Sequence, residues 1–331
     1  MPLPLRWRLK IDRLRSSFSS MFQSEEKQRR PRLCPACGTL VGSTASRCHQ
    51  CGTSLTFSMA AISRSMSKYL PANAPVTYLI LGSCCLLYGL SLLLTLHSGA
   101  SVTPQGGGIL NALFGIGSVS GYVLFRLGAS IPLLMPVGMP SDFLQPWRFI
   151  TACFLHANLM HIGFNMWVLI DLAPTVEELY GSARFLFLYV VCGIGGYILS
   201  SASPFITLFR ALHLASTGTS IGASGAIVGL IGVLLAITYR HRSAGMQQLR
   251  SMMYRWIIYL VLWGLFFPGI DNMAHLGGGI TGFILGKTML DRAPATPIER
   301  RRAYVLGWAT VVVVLLSFGF MILAGRHVSL Q

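Results

Sequence analysis

Ile221-Gly-Ala-Ser224-Gly225-Ala-Ile-Val228-Gly229-Leu-Ile-Gly232-Val-Leu-Leu-Ala-Ile-Thr-Tyr239 runs without a single charged side chain. An apolar run of this kind suits a helix crossing a bilayer, where about 20 residues span the hydrocarbon core. Only a helix satisfies its own backbone polar groups in that medium without a closed barrel. Six other stretches read the same way: Val76–Leu96, Phe149–Leu172, Phe185–Leu208, Trp256–Ile270, Asn272–Leu290 and Tyr304–Leu323. Trp256–Ile270 is short for a crossing, so its start is expected nearer Ser251. Composition agrees. Of 331 residues, 53% are hydrophobic and 11% charged, against about a quarter charged in a soluble domain. The expected fold is an all-α polytopic membrane protein.

The formal net charge of +16 would suggest a nucleic-acid partner if it were spread over a soluble fold. Its distribution reads as membrane topology instead, and no nucleic acid is expected. With the N-terminus in the cytoplasm and seven alternating spans, all but four of the 26 Lys and Arg fall inside. Arg126, Arg148, Arg210 and Arg326 are the exceptions. The positive-inside rule then predicts N-in and C-out. Met1–Arg32 is basic and lacks a continuous apolar core, unlike a signal peptide. Between Leu96 and Arg148 lie Gly106-Gly-Gly108 and the apolar patches Tyr122–Leu127 and Ile131–Val137. These patches are too short to cross, and an element partly sunk in the outer leaflet is expected there.

Residues 1–30 carry Trp7, Ile11, Leu14, Phe18, Met21 and Phe22 at helical spacing among arginines. This is either a basic amphipathic helix on an anionic leaflet or a solvated basic tail. Cys34-Pro-Ala-Cys37-Gly and Cys48-His-Gln-Cys51-Gly follow. Two Cys-x-x-Cys-Gly knuckles supply four thiolates, with glycines for the tight turns, as a tetrahedral structural zinc site requires. A redox pair is the rival, and cytosolic thiols normally stay reduced. His49 lies between ligands as a bystander. The expected cofactor is one structural zinc held by Cys34, Cys37, Cys48 and Cys51. By contrast, Cys84, Cys85, Cys153 and Cys192 lie in the spans, where lone cysteines behave as small hydrophobes.

Ser224 opens the quoted run between glycines. A helix N-terminus offers unpaired N–H groups, and glycine permits close approach of a substrate carbonyl. By itself Gly-x-Ser-Gly also suits a plain helix interface. His275 adds to the signal, because an intramembrane histidine is costly and marks function by default; a hydrogen-bonded core histidine is the alternative. Gly278, Gly282 and Gly286 share its helical face. That face is expected to dock on Gly225 and Gly229 and bring His275 to Ser224. In His156-Ala-Asn-Leu-Met-His161-Ile-Gly-Phe-Asn165, His161 and Asn165 are four apart and share a face. Both can donate hydrogen bonds to one point, as an oxyanion hole needs. His156 is expected to point elsewhere and order the loop. A zinc hydrolase is the rival, but the spacing is not His-Glu-x-x-His.

With these motifs, and with Gln145-Pro-Trp147-Arg148-Phe-Ile-Thr151 and Asp271-Asn-Met-Ala-His275-Leu-Gly-Gly278, the chain resembles the rhomboid intramembrane serine proteases over roughly Leu124 to Gly286. The resemblance implies a six-helix core, here with one extra C-terminal transmembrane helix and a small cytosolic zinc ribbon in front. It implies a Ser224–His275 dyad without an aspartate and an oxyanion hole that includes Asn165 and His161. No catalytic cofactor is implied. Activity would fall as acid protonates His275, which must be neutral to act as base. The implied partners are single-span transmembrane substrates and the lipid bilayer, with the site opening to the outer face of a cell membrane. The ribbon would serve a cytosolic protein partner. The Trp263, Phe266, Phe267 and Pro268 stretch would be a lateral gate, or else ordinary lipid-facing aromatics. Some members place an aromatic one turn after the nucleophile to stack on the histidine; Val228 stands there, so something else orients His275.

The resulting layout is a tail at 1–30, ribbon at 31–56, linker at 57–75, core at 76–303, and seventh helix with a short tail at 304–331. Two rival functions fit the same sequence. A pseudoprotease would bind helices without cutting them, and would not react with a fluorophosphonate. A transporter or channel would show charges or repeats along a pathway, a pattern the spans lack.

Overall fold

The computed structural model describes residues 31–34, 38–43, 45–52, 54–55, 74–100, 115–132, 142–205, 218–241, 243–266 and 269–327. The tail at 1–30, Cys37, Gly106–Gly108, Arg210, Phe267 and Pro268, the side chain of Phe266 and nearly all of the linker lie outside them. The chain divides into two compact units, Met1–Ser58 and Met59–Gln331.

In the first unit, β1 (Arg32–Leu33) and β2 (Leu40–Val41) pair antiparallel, with Arg32 opposite Val41 and Leu33 opposite Leu40. Each knuckle closes in the same way. Gly38 N–H returns to Cys34 O at 2.9 Å, and Gly52 N–H to Cys48 O at 2.9 Å. Both glycines have left-handed φ, 76° and 68°, which a side chain would disfavour. Val41 and Leu55 supply a small apolar core beside the buried cysteines.

The second unit is helical and crosses the membrane several times. Its elements are α1 (Pro75–His97), α2 (Gly121–Arg126), α3 (Arg148–Thr151), α4 (Leu159–Tyr180), α5 (Ser182–Ala202), α6 (Ser224–Arg240), α7 (Ala244–Phe266), α8 (Asn272–Thr288) and α9 (Pro297–His327). Among the described residues, four segments are long and apolar enough to cross a membrane on those grounds alone: Pro75–His97, Leu159–Tyr180, Ser182–Phe205 and Pro297–Ala324. Helices α6 and α8, 17 residues each, sit at the lower limit for a span. They lie against α5 and each other, and α6–α8 is the most intimate helix pair of the unit.

Several expected helices differ from the observed ones, among them the last, expected over Tyr304–Leu323 but running from Pro297 to His327. The Phe149–Leu172 stretch is not one helix: α3 tightens into a 3-10 turn at Ala152–Phe154, the chain extends at Leu155, and α4 starts afresh after Asn158. Asn158 is the cause of the restart, since its side chain accepts from His161 N–H at 2.8 Å, a favoured N-cap. The Trp256–Ile270 stretch begins well before Ser251, at Ala244.

One buried carboxylate organises the bundle. Glu177 of α4 accepts from Val76 N–H at 3.0 Å, Thr77 N–H at 2.8 Å and the Thr77 hydroxyl at 2.8 Å. It also accepts from the Ser182 hydroxyl at 2.6 Å. Orphan backbone donors at the start of α1 are thus capped by a side chain that also holds the hydroxyl of Ser182, the first residue of α5. On the other flank, Asp142 accepts from Ser130 and Ile131 at 2.6 and 2.7 Å and from the Ser201 hydroxyl. Arg148 donates to the Phe125 and Ala129 carbonyls at 2.9 and 2.7 Å. Together they fix the non-helical stretches around α2 to α3 and α5, as irregular backbone at membrane depth requires.

Candidate active site

Ser224 is the first residue of α6, and no side chain caps that helix end; the first N–H groups of a helix have no intrahelical partner. Nε2 of His275 lies 2.9 Å from Oγ of Ser224. Both side chains are half-buried. The approach depends on glycine. A Cβ on Gly278 would strike the Gly225 carbonyl, and one on Gly282 would strike the Gly229 carbonyl. A Cβ on Gly286 would meet the Val233 carbonyl at 2.7 Å. The two helices therefore touch backbone to backbone, an approach only small residues allow.

His161 and Asn165 reach the same corner from α4. A Cβ built on Gly222 would stand 2.6 Å from Nε2 of His161 and 3.7 Å from Nδ2 of Asn165. Gly222 also has a φ of 125°, so geometry and space both exclude a side chain there. The proton on His161 can be placed. Ala157 N–H donates to its Nδ1 at 3.3 Å, so Nδ1 is the acceptor and a neutral ring carries its hydrogen on Nε2, toward Gly222. Asn165 gives one amide hydrogen to the His161 carbonyl at 3.0 Å and keeps the other. Two donors thus converge beside the loop that leads into Ser224.

His156 does not point away, as helical phase from His161 suggested. Its ring packs edge-on against that of His161, centroids 5.1 Å apart. Helical phase does not hold between the two histidines because the chain is extended at Asn158 and the helix starts only at Leu159. Both ring nitrogens of His156 are buried without a hydrogen bond.

Several supports were not read from the sequence. Asp271 caps α8, accepting from Ala274 N–H at 2.9 Å, and its other oxygen accepts from the Ser200 hydroxyl. His275 N–H bonds to the Asp271 carbonyl at 3.2 Å. The cap and its tether to α5 set the backbone from which His275 projects. An aspartate immediately before a glycine-rich helix is a readable N-cap signal. Tyr197, fully buried in α5, carries no such signal; its hydroxyl lies 2.8 Å from the Gly222 carbonyl and 3.3 Å from the Ala152 carbonyl. At Val228, Cγ1 faces Gly279, one turn past His275: a Cβ there would lie 3.4 Å away.

In the first unit, the Cys34, Cys48 and Cys51 sulfurs are buried and lie within 4.8 Å of one another. Cys34 Sγ and Cys51 Sγ are 3.7 Å apart. That is near the separation of about 3.8 Å between thiolates bound tetrahedrally to zinc with bonds of about 2.3 Å, and far beyond a disulfide. The donor set fits a metal that prefers thiolates.

A family model described as the Rhomboid domain matches residues 144–292. The chain is 31% identical to Rhomboid-like protease 2 of Toxoplasma gondii over 205 residues, covering 61% of this chain and 67% of that protein. It is 35% identical over 147 residues to RHOMBOID-like protein 6, mitochondrial, of Arabidopsis thaliana, covering 44% of each. Against Rhomboid protease GluP of Bacillus subtilis (strain 168) identity is 33% over 168 residues, 50% of this chain and 29% of the relative. The chain spans about half the length of the Arabidopsis relatives it matches. Helical architecture, membrane-spanning segments and these matches agree: the chain is a multi-pass membrane protein and belongs to the rhomboid family.

Proposed function

We propose that the chain is an intramembrane serine endopeptidase that hydrolyses peptide bonds in or near transmembrane helices, using Ser224 and His275. The observation that carries this reading is the 2.9 Å contact between His275 Nε2 and Ser224 Oγ, beside two spare donors. His275 accepts the Ser224 proton as Oγ attacks the scissile carbonyl. The resulting oxyanion is held by the Ser224 N–H, Nδ2 of Asn165 and Nε2 of His161. His275 then gives its proton to the departing amine, and water hydrolyses the acyl-enzyme.

Substrate entry is assigned to the seam between α4 and α7. Phe164 stacks on Trp263 at 5.2 Å and Trp167 meets Trp256 edge-on at 5.7 Å. Aromatic side chains of the two helices meet along this seam, and rotation of those side chains would open it. The proposed topology is N-in and C-out, with the site near the outer face and single-span membrane proteins as substrates. Residues 31–56 form a ribbon in which Cys34, Cys37, Cys48 and Cys51 hold a structural zinc, available to a cytosolic partner. The core starts near residue 76, and the seventh helix, α9, follows it from Pro297 rather than from Tyr304.

The test is cleavage of a fluorescent single-helix substrate in proteoliposomes, with fluorophosphonate labelling alongside. Cleavage lost in both Ser224→Ala and His275→Ala, with folding intact, is the expected result. Cleavage that survives Ser224→Ala overturns the mechanism. A wild type that neither cuts nor labels points to a pseudoprotease.

A further inference from the structure

Helix α9 lies beyond the residues matched by the rhomboid family model, yet its outer half reaches the segment that backs the site. Phe320 stacks on Trp147, centroids 6.0 Å apart and planes at 23°. Phe318 meets Phe154 edge-on at 5.8 Å. Met321 is buried and lies over Gly128, where an added Cβ would stand 3.4 Å from its Cγ. Three side chains of one helix therefore cover the short helix α3, the 3-10 turn that follows it and the end of the α2 turn.

That covered turn is bonded directly to the nucleophile loop. The Ala152 carbonyl accepts from Gly222 N–H at 2.9 Å, and the Tyr197 hydroxyl bridges the same two residues. Gly222 precedes Ser224 by two positions and abuts His161. Phe154 leads through Leu155 to His156, whose ring packs on His161. From Phe318 to Ser224 the path is Phe154, the Ala152 carbonyl and the Gly222 amide. Broken backbone at membrane depth keeps its shape only where protein covers it. Lipid tails in place of α9 would offer dispersion contact without a fixed geometry.

We propose that α9 is a built-in brace for the active site, with Phe318 and Phe320 as positioning residues that act through the Trp147–Phe154 segment on the Ser224 loop and His161. The proposal rests on the dyad reading above. The brace sets reactivity at Ser224 rather than substrate affinity, because neither aromatic reaches the site.

The test uses the full chain in proteoliposomes, measuring the second-order rate of fluorophosphonate labelling at Ser224, kcat and KM for a helix substrate, and Tm. Phe318→Ala and Phe320→Ala should each slow labelling and lower kcat by about threefold to tenfold at unchanged KM. Phe320→Tyr, which keeps the stacked ring, should restore the rate. Leu315→Ala, on the lipid-exposed side of α9, should leave it unchanged. Equal labelling rates in wild type and both alanine variants overturn the brace. So do losses that track only the folded fraction, or that Phe320→Tyr fails to rescue. A wild type that does not label at Ser224 takes down the dyad reading, and the brace with it; the two failures are thus distinct.

Discussion

The carbonyl of Gly229 occupies the space a side chain at Gly282 would need. These two glycines, about three turns into α8 and about one turn into α6, set how closely the helices that carry His275 and Ser224 approach. Gly282→Ala must push the helices apart, because the obstructing atom is backbone and cannot rotate away. A displacement of about 1 Å at a reacting pair can cost about 10²-fold in rate. We expect Gly282→Ala to lower fluorophosphonate labelling by about that factor and to reduce Tm. Gly319→Ala on α9, where nothing lies within 4 Å of the added Cβ, should be neutral in both. Normal labelling in Gly282→Ala would mean that the seam does not set the dyad distance.

Removal of one oxyanion donor typically costs about 10²–10³ in kcat. Asn165→Ala should fall in that range with KM little changed, since the hydrogen bond forms only once charge develops on the substrate oxygen. His161→Ala should do the same. The double variant should fall short of the product of the two, because residues acting on one charge are not additive. A rise in KM with unchanged kcat would assign the pair to substrate binding instead.

The seam between α4 and α7 yields a gain rather than a loss. Trp263→Ala removes the ring stacked on Phe164 while leaving the dyad untouched. Cleavage of a full transmembrane helix should speed up, and labelling by a small fluorophosphonate should hardly change, since the small probe needs no lateral opening. An equal change in both would show that Trp263 supports the site itself and not the entry path.

The parts of the site legible in the sequence are those with a fixed local period. Gly278, Gly282 and Gly286 recur with the helix, and so do His161 and Asn165. Pairing them needed only the idea that two smooth faces dock. What escaped was set by interruptions. The break at Leu155–Asn158 hides inside an apolar stretch, since hydropathy cannot distinguish a helix from a turn that neighbours cover. His156 was misplaced for that reason. Tyr197 and Ser200 act on residues many positions away, and no spacing rule links a span residue to a loop it will later touch. Two of the helices, α6 and α8, read as ordinary spans but are 17 residues each and lodged among others; α6 is apolar but shorter than the four longer segments.

At the far end of the same two helices, Asp291 pairs with Arg240 at 3.2 Å and with His241 Nε2 at 2.5 Å. Burial alone would raise its pKa; the His241 hydrogen bond and the Arg240 charge outweigh that and hold it below the ordinary carboxylate range. A carboxyl group with a depressed pKa stabilises the fold fully above its unfolded value, about 3.9, and that contribution disappears as pH falls through the folded value. Asp291→Asn should therefore lower Tm slightly at pH 7, in keeping with solvent-screened pairs worth about 0–1 kcal/mol. Wild type and variant should converge in acid. Arg240→Ala should cost more, because Arg240 also donates to the Gly286, Lys287 and Met289 carbonyls at 3.0, 2.5 and 3.2 Å, the orphan acceptors at the end of α8. A Tm gap for Asp291→Asn that stays the same at low pH would exclude the ion pair as its source.

The cysteine cluster separates structure from catalysis. Cys34, Cys48 and Cys51 are buried with their sulfurs gathered, and a site closed by four thiolates has no open position for a substrate. Metal analysis of the purified chain should find about one zinc per chain, retained through desalting, as expected of a structural thiolate site. Cys34→Ser and Cys51→Ser should lose it, and so should Cys37→Ser if that residue is the fourth ligand. Since zinc thiolate sites contribute folding energy outright, these variants should expose residues 31–56 to protease. The Ser224 labelling rate should stay at the wild-type value in the same samples, because the cysteines belong to a separate compact unit. Zinc retained in all the serine variants would move the metal elsewhere, whereas a labelling rate that falls with zinc loss would make the ribbon part of the catalytic unit.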